Sequence, residues 1–259
     1  MTVKGWLAPK RVALAAGLVL AVCIGAWIYV QSAEAGMLRR APDTVTADPG
    51  LTRLAEFFGG QVFSARCVSC HGADAKGDRR TGAPDLADSE WLYGEGKISD
   101  IEQVVNYGIR AHHSKTKNLA AMPAFGRAFP YANYKVAPLT PAQIGDVVEY
   151  LTFMQGKPAD QGPVGRGAVI YNGSGACYDC HASDGKGDNF IGAPNLTDNV
   201  TLFGDGSKKS LTESISLGRG GICPGWIFDL GPAAIREVSL YVYSLSHRQA
   251  PAQQARHAN

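Results

Sequence analysis

The sequence predicts a mainly α-helical chain: one apolar helix at the N-terminus, then two copies of a small helical unit joined by glycine-rich turns. Three observations carry this. An uncharged run, VALAAGLVLAVCIGAWIYV, stretches from Val12 to Val30. Beyond it the chain repeats itself: CVSCHGADAKGD and GAPDLADSEWLYG in one copy are answered by CYDCHASDGKGD and GAPNLTDNVTLFG in the other. The stretches LTRLAEFFGGQVFSARC, TPAQIGDVVEYLTFM and GPAAIREVSLYVYSL place apolar residues at helical spacing, and no run alternates with a period of two.

A length of 259 residues bounds the chain to one large domain, or to two small ones with an anchor. The formal net charge is only +2, so bulk electrostatics call for no polyanionic partner. With neither a basic stripe nor a recognition-helix pattern, nucleic-acid binding is not expected.

At a rise of ~1.5 Å per residue, the run from Val12 to Val30 spans roughly 28 Å, about the thickness of a bilayer core. Lys4, Lys10 and Arg11 precede it and keep residues 1–11 cytoplasmic, while Trp27 and Tyr29 fall at the far interface. The expectation is a single-pass anchor over 12–30 in the inner membrane, touching lipid, with everything after it on the periplasmic side. A cleaved signal peptide is the rival, since Ala33-Glu34-Ala35 has the small-x-small form of a cleavage site. Signal-peptide apolar cores run to ~7–15 residues, shorter than this one. Cys23 lies inside the run; LAVC resembles a lipidation box only loosely, because Val22 stands where a small residue is wanted, and the thiol reads as an apolar filler. Residues 31–49 read as a polar linker.

The two copies span 50–157 and 158–247. QGKPADQGPVGRG, rich in Gly and Pro, marks the boundary, and a polar, disordered tail is expected over 248–259. The spacing repeats too: His71 to Pro84 equals His181 to Pro194, and His71 to Tyr93 equals His181 to Phe203. Copy one carries an extra segment, PYANYKVAPL, to which no role is assigned. Each copy has only two or three good helices between long Gly/Pro stretches, too few apolar side chains for a core of its own. Something bulky must fill it.

Cys-x-x-Cys-His names the filler. It is the attachment signature of c-type haem, in which two thiols add to the vinyl groups and the adjacent imidazole ligates iron. The chain has it twice, as Cys67, Cys70, His71 and as Cys177, Cys180, His181. A zinc ribbon needs four ligands gathered together, and these pairs lie far apart in separate repeats. Thioredoxin-like chemistry wants a βαβ surround, and structural disulfides explain neither the His nor the repeat. Two covalent haem c groups are therefore expected. For the iron of the first, Met122, just before Pro123, is the expected distal ligand; His112 and His113 are alternatives, in a stretch RAHHSKTKN that reads first as a solvated basic loop.

From ADPGLTRLAEFFGGQVF to YVYSLS the chain resembles the diheme cytochrome c subunit of cbb3-type cytochrome c oxidases. The likeness rests on PDLADSEWLYG, IEQVVNYGIR and MPAFG in copy one, and on DGKGDNFIGAPNLTD and YVYSL in copy two. It implies two tandem class I cytochrome c domains behind one transmembrane helix, and an electron-transfer subunit that breaks no bonds itself. Electrons would come from a donor cytochrome c or a quinol-oxidising complex and pass to the other subunits of the oxidase. It also implies His/Met ligation at both irons, with the carbonyls of Pro84 and Pro194 accepting the Nδ1–H of His71 and His181, a bond that fixes the tautomer.

Copy two departs from that pattern. No Met follows Met154, and Cys223, before Pro224, occupies the site matching Met122. It is the one Cys after residue 30 that the two motifs do not use. As a thiolate on the second iron it would favour Fe(III) and make that haem the lower-potential centre. A free thiol beside a five-coordinate iron, or His247 as ligand, are the alternatives. A His/Cys haem also suggests a sulfur-oxidising enzyme of the thiosulfate dehydrogenase kind, or sensing through a labile Cys223–iron bond.

Overall fold

The computed structural model describes residues 8–128 and 137–257, so most of PYANYKVAPL lies outside it. Among the described residues nine helices follow one another: α1 (Ala8–Leu38), α2 (Pro49–Arg66), α3 (Val68–His71), α4 (Ile98–Tyr107), α5 (Pro141–Met154), α6 (Gln161–Tyr171), α7 (Tyr178–His181), α8 (Lys208–Leu217) and α9 (Pro232–His257). Among the described residues the extended pairings are isolated bridges, not strands.

Helix α1 is long and apolar enough to cross a membrane over Val12–Leu38. It does not stop at Val30. The stretch expected to be a polar linker continues as helix to Leu38, then forms a 3-10 turn over Pro42–Ala47. Three apolar residues inside it explain why: Ala33, Met37 and Val45 are buried, the last two against Ala55, Ile98 and Leu240. The end of α1 beyond the apolar run is thus packed onto the body of the protein, while the run itself stays exposed. Arg236 of α9 secures it, with Nη1 donating to the carbonyls of Met37 and Arg40 at 3.1 Å each while the guanidinium pairs with Glu102 of α4.

Caps define the next helices. The Asp48 carboxylate accepts from the amides of Gly50 and Leu51 to start α2. Thr140 and Gln143 form a reciprocal capping box at α5. In the Gly/Pro-rich boundary stretch, Asp160 caps Gly162 and the chain turns into α6. One glycine there serves packing: a Cβ on Gly167 would lie 2.0 Å from the carbonyl oxygen of Asp146. Gly59 of α2 is its counterpart, with a Cβ 2.1 Å from the carbonyl oxygen of Glu237. Helices α4 and α8 are short, and each ends at a glycine in the left-handed region, Gly108 at φ 72° and Gly218 at φ 73°.

These crossings set the topology. α2 packs on α9, and α5 packs on α6. One core joins Phe63, Ala75 and Ile101 to Val238 and Val242; the other joins Phe125, Ile144, Val147 and Leu151 to Ile170, Tyr171 and Ile215. The structural units therefore do not divide near residue 158. The second unit is continuous, from the Met122 segment through α5, α6, α7 and α8. The first is assembled from α2, α3 and α4 on one side and the Cys223 segment with α9 on the other. One unit is inserted into the other. The backbone of α9 stays helical to His257, through most of the stretch read as a disordered tail.

Candidate haem sites

Each CxxCH motif forms one helical turn. In α3 the amides of Cys70 and His71 donate to the carbonyl of Cys67 at 3.1 and 2.9 Å; in α7 those of Cys180 and His181 donate to Cys177 at 3.3 and 3.0 Å. A single turn holds the two sulfurs and the imidazole in fixed relation. The Nδ1–H of His71 donates to the Pro84 carbonyl at 3.1 Å, and that of His181 to Pro194 at 3.0 Å. With Nδ1 committed, Nε2 carries the free lone pair and the ring is oriented. Burial pushes both imidazoles below the ordinary His range, against the opposing pull of those carbonyl bonds, which keeps them neutral, as a metal ligand must be.

The sulfur donors from the distal side are exchanged relative to chain order. The amide of Ile109 donates to the carbonyl of Cys223 at 2.8 Å, and the amide of Cys223 returns the bond at 3.0 Å. Trp226 and Ile227 donate to Val105 and Asn106 at the end of α4. In the second unit the same lattice recurs with the copies interchanged: Met122 and Arg219 bond in both directions, and Phe125 and Gly126 donate to Ile215 and Ser216 at the end of α8. The two left-handed glycines make these approaches feasible, since a Cβ on Gly108 would sit 2.4 Å from the Cys223 carbonyl and one on Gly218 would sit 2.5 Å from that of Met122.

Cys223 thus stands with the first motif. Burial pushes its thiol up to about 11, and Cys67 and Cys70 are the neighbours that add to the shift. Burial, with Cys70 beside it, does the same to Cys67, and burial to Cys177. Met122 packs against the core of the second unit, together with Cys177 and Leu196. The sequence pairing of Met122 with the first motif and Cys223 with the second is reversed by this packing. The physical reason is the insertion: the chain leaves α4 for the second unit before its first sulfur donor, and returns to the first unit just ahead of the last.

The other candidates lie elsewhere. His113 accepts the Lys115 amide at Nδ1, and its ring sits between Tyr107 and Phe228, with centroids 4.7 and 5.8 Å away. His112 is exposed. His247 is stacked on Tyr243 at 3.8 Å, its Nδ1 bonded to the Tyr243 carbonyl. None of the six cysteines is joined to another in this structure. Two thiols, an imidazole with its outer nitrogen satisfied and a sulfur donor from the facing segment form a donor set that fits c-type haem in each unit.

Sequence reasoning missed the residues that lock the units together. Tyr93 lies against Gly192 and Phe203 against Gly82, each ring crossing to the other copy's loop. Arg110 ties Tyr93 Oη to the carbonyls of Ala120 and Gly221. The equal spacing of Tyr93 and Phe203 from their histidines was the visible trace of this arrangement.

The fold and the CxxCH turns define a c-type cytochrome, and the cytochrome c family model matches residues 58–155. The chain is 38% identical over 202 residues to the cbb3-type cytochrome c oxidase subunit FixP of Bradyrhizobium sp. (strain ORS 278), and 37% over 201 residues to the subunit CcoP of Cereibacter sphaeroides. In both cases the match covers 78% of this chain and 64% of the relative. CcoP of Rhodobacter capsulatus is 38% identical over 213 residues, 79% of this chain and 67% of the relative. The chain belongs to the CcoP/FixP family of cbb3-type oxidase subunits. It spans about two thirds of the length of these relatives.

Proposed function

We propose that this chain is a membrane-anchored diheme electron-transfer subunit of a cbb3-type or related terminal oxidase. The observation that carries the reading is the pair of matched sites, each joining a CxxCH turn, a histidine held through Nδ1 and a sulfur donor on the facing segment. Cys67, Cys70 and His71 would hold one haem c with Cys223 as the distal ligand; Cys177, Cys180 and His181 would hold the other with Met122. When bound, each haem supplies a reversible one-electron couple. The chain's residues would do the rest: Pro84 and Pro194 hold the imidazole tautomer, and the unlike sulfurs would separate the potentials. A thioether favours Fe(II), whereas a thiolate favours Fe(III) and lowers the potential.

The relay would stand on the periplasmic side of the inner membrane, α1 crossing the bilayer. It would take electrons from a donor cytochrome or a quinol-oxidising complex and deliver them to the other oxidase subunits. The sulfur-oxidising reading is not favoured, since the relatives are oxidase subunits. A pyridine haemochrome assay should give two equivalents of haem c, and the chain should co-purify with a membrane oxidase. One equivalent or none would sink the proposal.

A further inference from the structure

Behind the Cys223 segment lies an open groove of about 300 Å³, between Arg110, His112 and His113 on one wall and Ile222, Pro224 and Phe228 on the other. None of its lining residues belongs to a CxxCH turn. One wall comes from AHHSKTKNL, which the first copy carries between its glycine and its sulfur donor and the second copy lacks. That added loop folds over the other copy's Cys223 segment.

Two properties of this face are unusual for a nearly neutral chain. Ile222 and Phe228 are 73% and 83% exposed, side by side with a cavity. Of the cations in the flanking stretches 106–120 and 218–231, Arg219 pairs with Glu213 and Arg110 is turned onto the carbonyls of Ala120 and Gly221, which leaves Lys115 and Lys117 for the rim, with Asp229 the single carboxylate in these stretches. Lys115 is held 5.3 Å above the Tyr107 ring, and Arg66 of α2 stands 5.6 Å over Trp226. An apolar centre with a cationic rim, small in area, is the anatomy of a short-lived electron-transfer contact, in which charge steers the encounter and little surface is buried.

We propose that this groove is the docking face for an acidic one-electron carrier protein, presenting carboxylates to Lys115 and Lys117 and an apolar residue to Phe228. The inference rests on the relay reading and extends it by fixing where, and to what chemistry, the relay opens. In the encounter one electron passes from the ferrous iron of one partner to the ferric iron of the other; no bond forms or breaks and no proton moves.

The test uses the full haem-loaded chain, reduced, mixed rapidly with ferric cytochrome c of acidic or of basic net charge. With the acidic probe, Lys115→Glu/Lys117→Glu should lower the second-order rate about ten-fold at low salt and flatten its ionic-strength dependence. Phe228→Ala should slow the acidic probe without changing the salt slope, and Lys186→Glu on the second unit should change nothing. Carbodiimide cross-links to the acidic probe should map to Lys115 or Lys117. An unchanged rate in the double variant, an equal loss with Lys186→Glu, or cross-links confined to other lysines would overturn the proposal. So would protection of Lys115 from acylation in the purified oxidase, since that would make the face a permanent subunit contact. If neither cytochrome exchanges electrons and ferricyanide also fails to oxidise the haems, the relay reading falls first, and this inference with it.

Discussion

Cys223 and Ile109 are bonded to each other through both their amides and carbonyls, although they belong to different copies of the repeat. This pairing puts the only unassigned thiol of the haem region into the unit built on Cys67 and Cys70, and Met122 into the unit built on Cys177 and Cys180.

Ligand assignment follows from that pairing. The ferric protein should show a low-spin thiolate signal by electron paramagnetic resonance. Cys67→Ser/Cys70→Ser should abolish it, and Cys177→Ser/Cys180→Ser should leave it. Pairing by chain order demands the opposite result. Cys223→Met should raise the lower of the two midpoint potentials, on the order of hundreds of millivolts, because a neutral donor replaces an anionic one.

The helix crossings tolerate nothing larger than glycine. A Cβ at Gly59 or Gly167 would strike a backbone carbonyl, which cannot swing away as a side chain can. Each substitution to Ala should cost about 1–3 kcal/mol, or roughly 2–10 °C in melting temperature. Gly165, one helical step from the crossing, has open space around it, and Gly165→Ala should raise the melting temperature slightly.

Stability should depend on pH through Glu237. The residue is 5% exposed, and its Oε1 has no hydrogen-bond partner. Burial, and then the Glu34 carboxylate, push it up to about 7 from the ordinary 4.5. The unfolded chain releases this proton first, so the stabilisation is complete below the unfolded value and is lost as pH rises towards about 7. Above that, Glu237→Gln should be more stable than the native chain by up to roughly 3 kcal/mol, and the two should converge below about pH 4.5. Denaturant titrations at several pH values would read this out; a gap that does not change with pH would refute it.

Arg236 should be costly to remove and cheap to remove in company. Arg236→Met strands the half-buried Glu102 carboxylate and frees the carbonyls of Met37 and Arg40, with an expected loss of about 3–5 kcal/mol. Arg236→Met/Glu102→Leu should recover much of it. Full additivity of the two single losses would show that the residues do not act as a pair.

The sequence made the chemistry plain and the topology obscure. Both CxxCH turns, the matched histidine-to-proline spacing and the sulfur donors before Pro123 and Pro224 were legible because each is a local pattern. The periodic stretches of α2, α5 and α9 were legible for the same reason. Helices α4 and α8 escaped because each is only ten residues long, although α4 carries a stripe in Ile98, Ile101 and Val105, and α6 was masked by its glycines, of which the crossing requires Gly167. The exchange of partners left no local trace. Two copies of one unit offer two near-equivalent ways to pair their halves, and tertiary contacts such as Gly59 on Glu237, Gly167 on Asp146 and Ile109 with Cys223 distinguish them.

The nesting has a consequence for how the chain is made. What the inner unit pairs and packs, from Met122 to Arg219, leaves the ribosome in one stretch, so it can close while synthesis continues. The outer unit must wait: Phe63 and Ile101 stay uncovered until Val238 and Val242 of the last helix arrive. During that interval the half-built outer unit is the vulnerable part of the nascent protein, and a chain cut short before α9 loses not its tail but the wall that closes the unit built on Cys67 and Cys70.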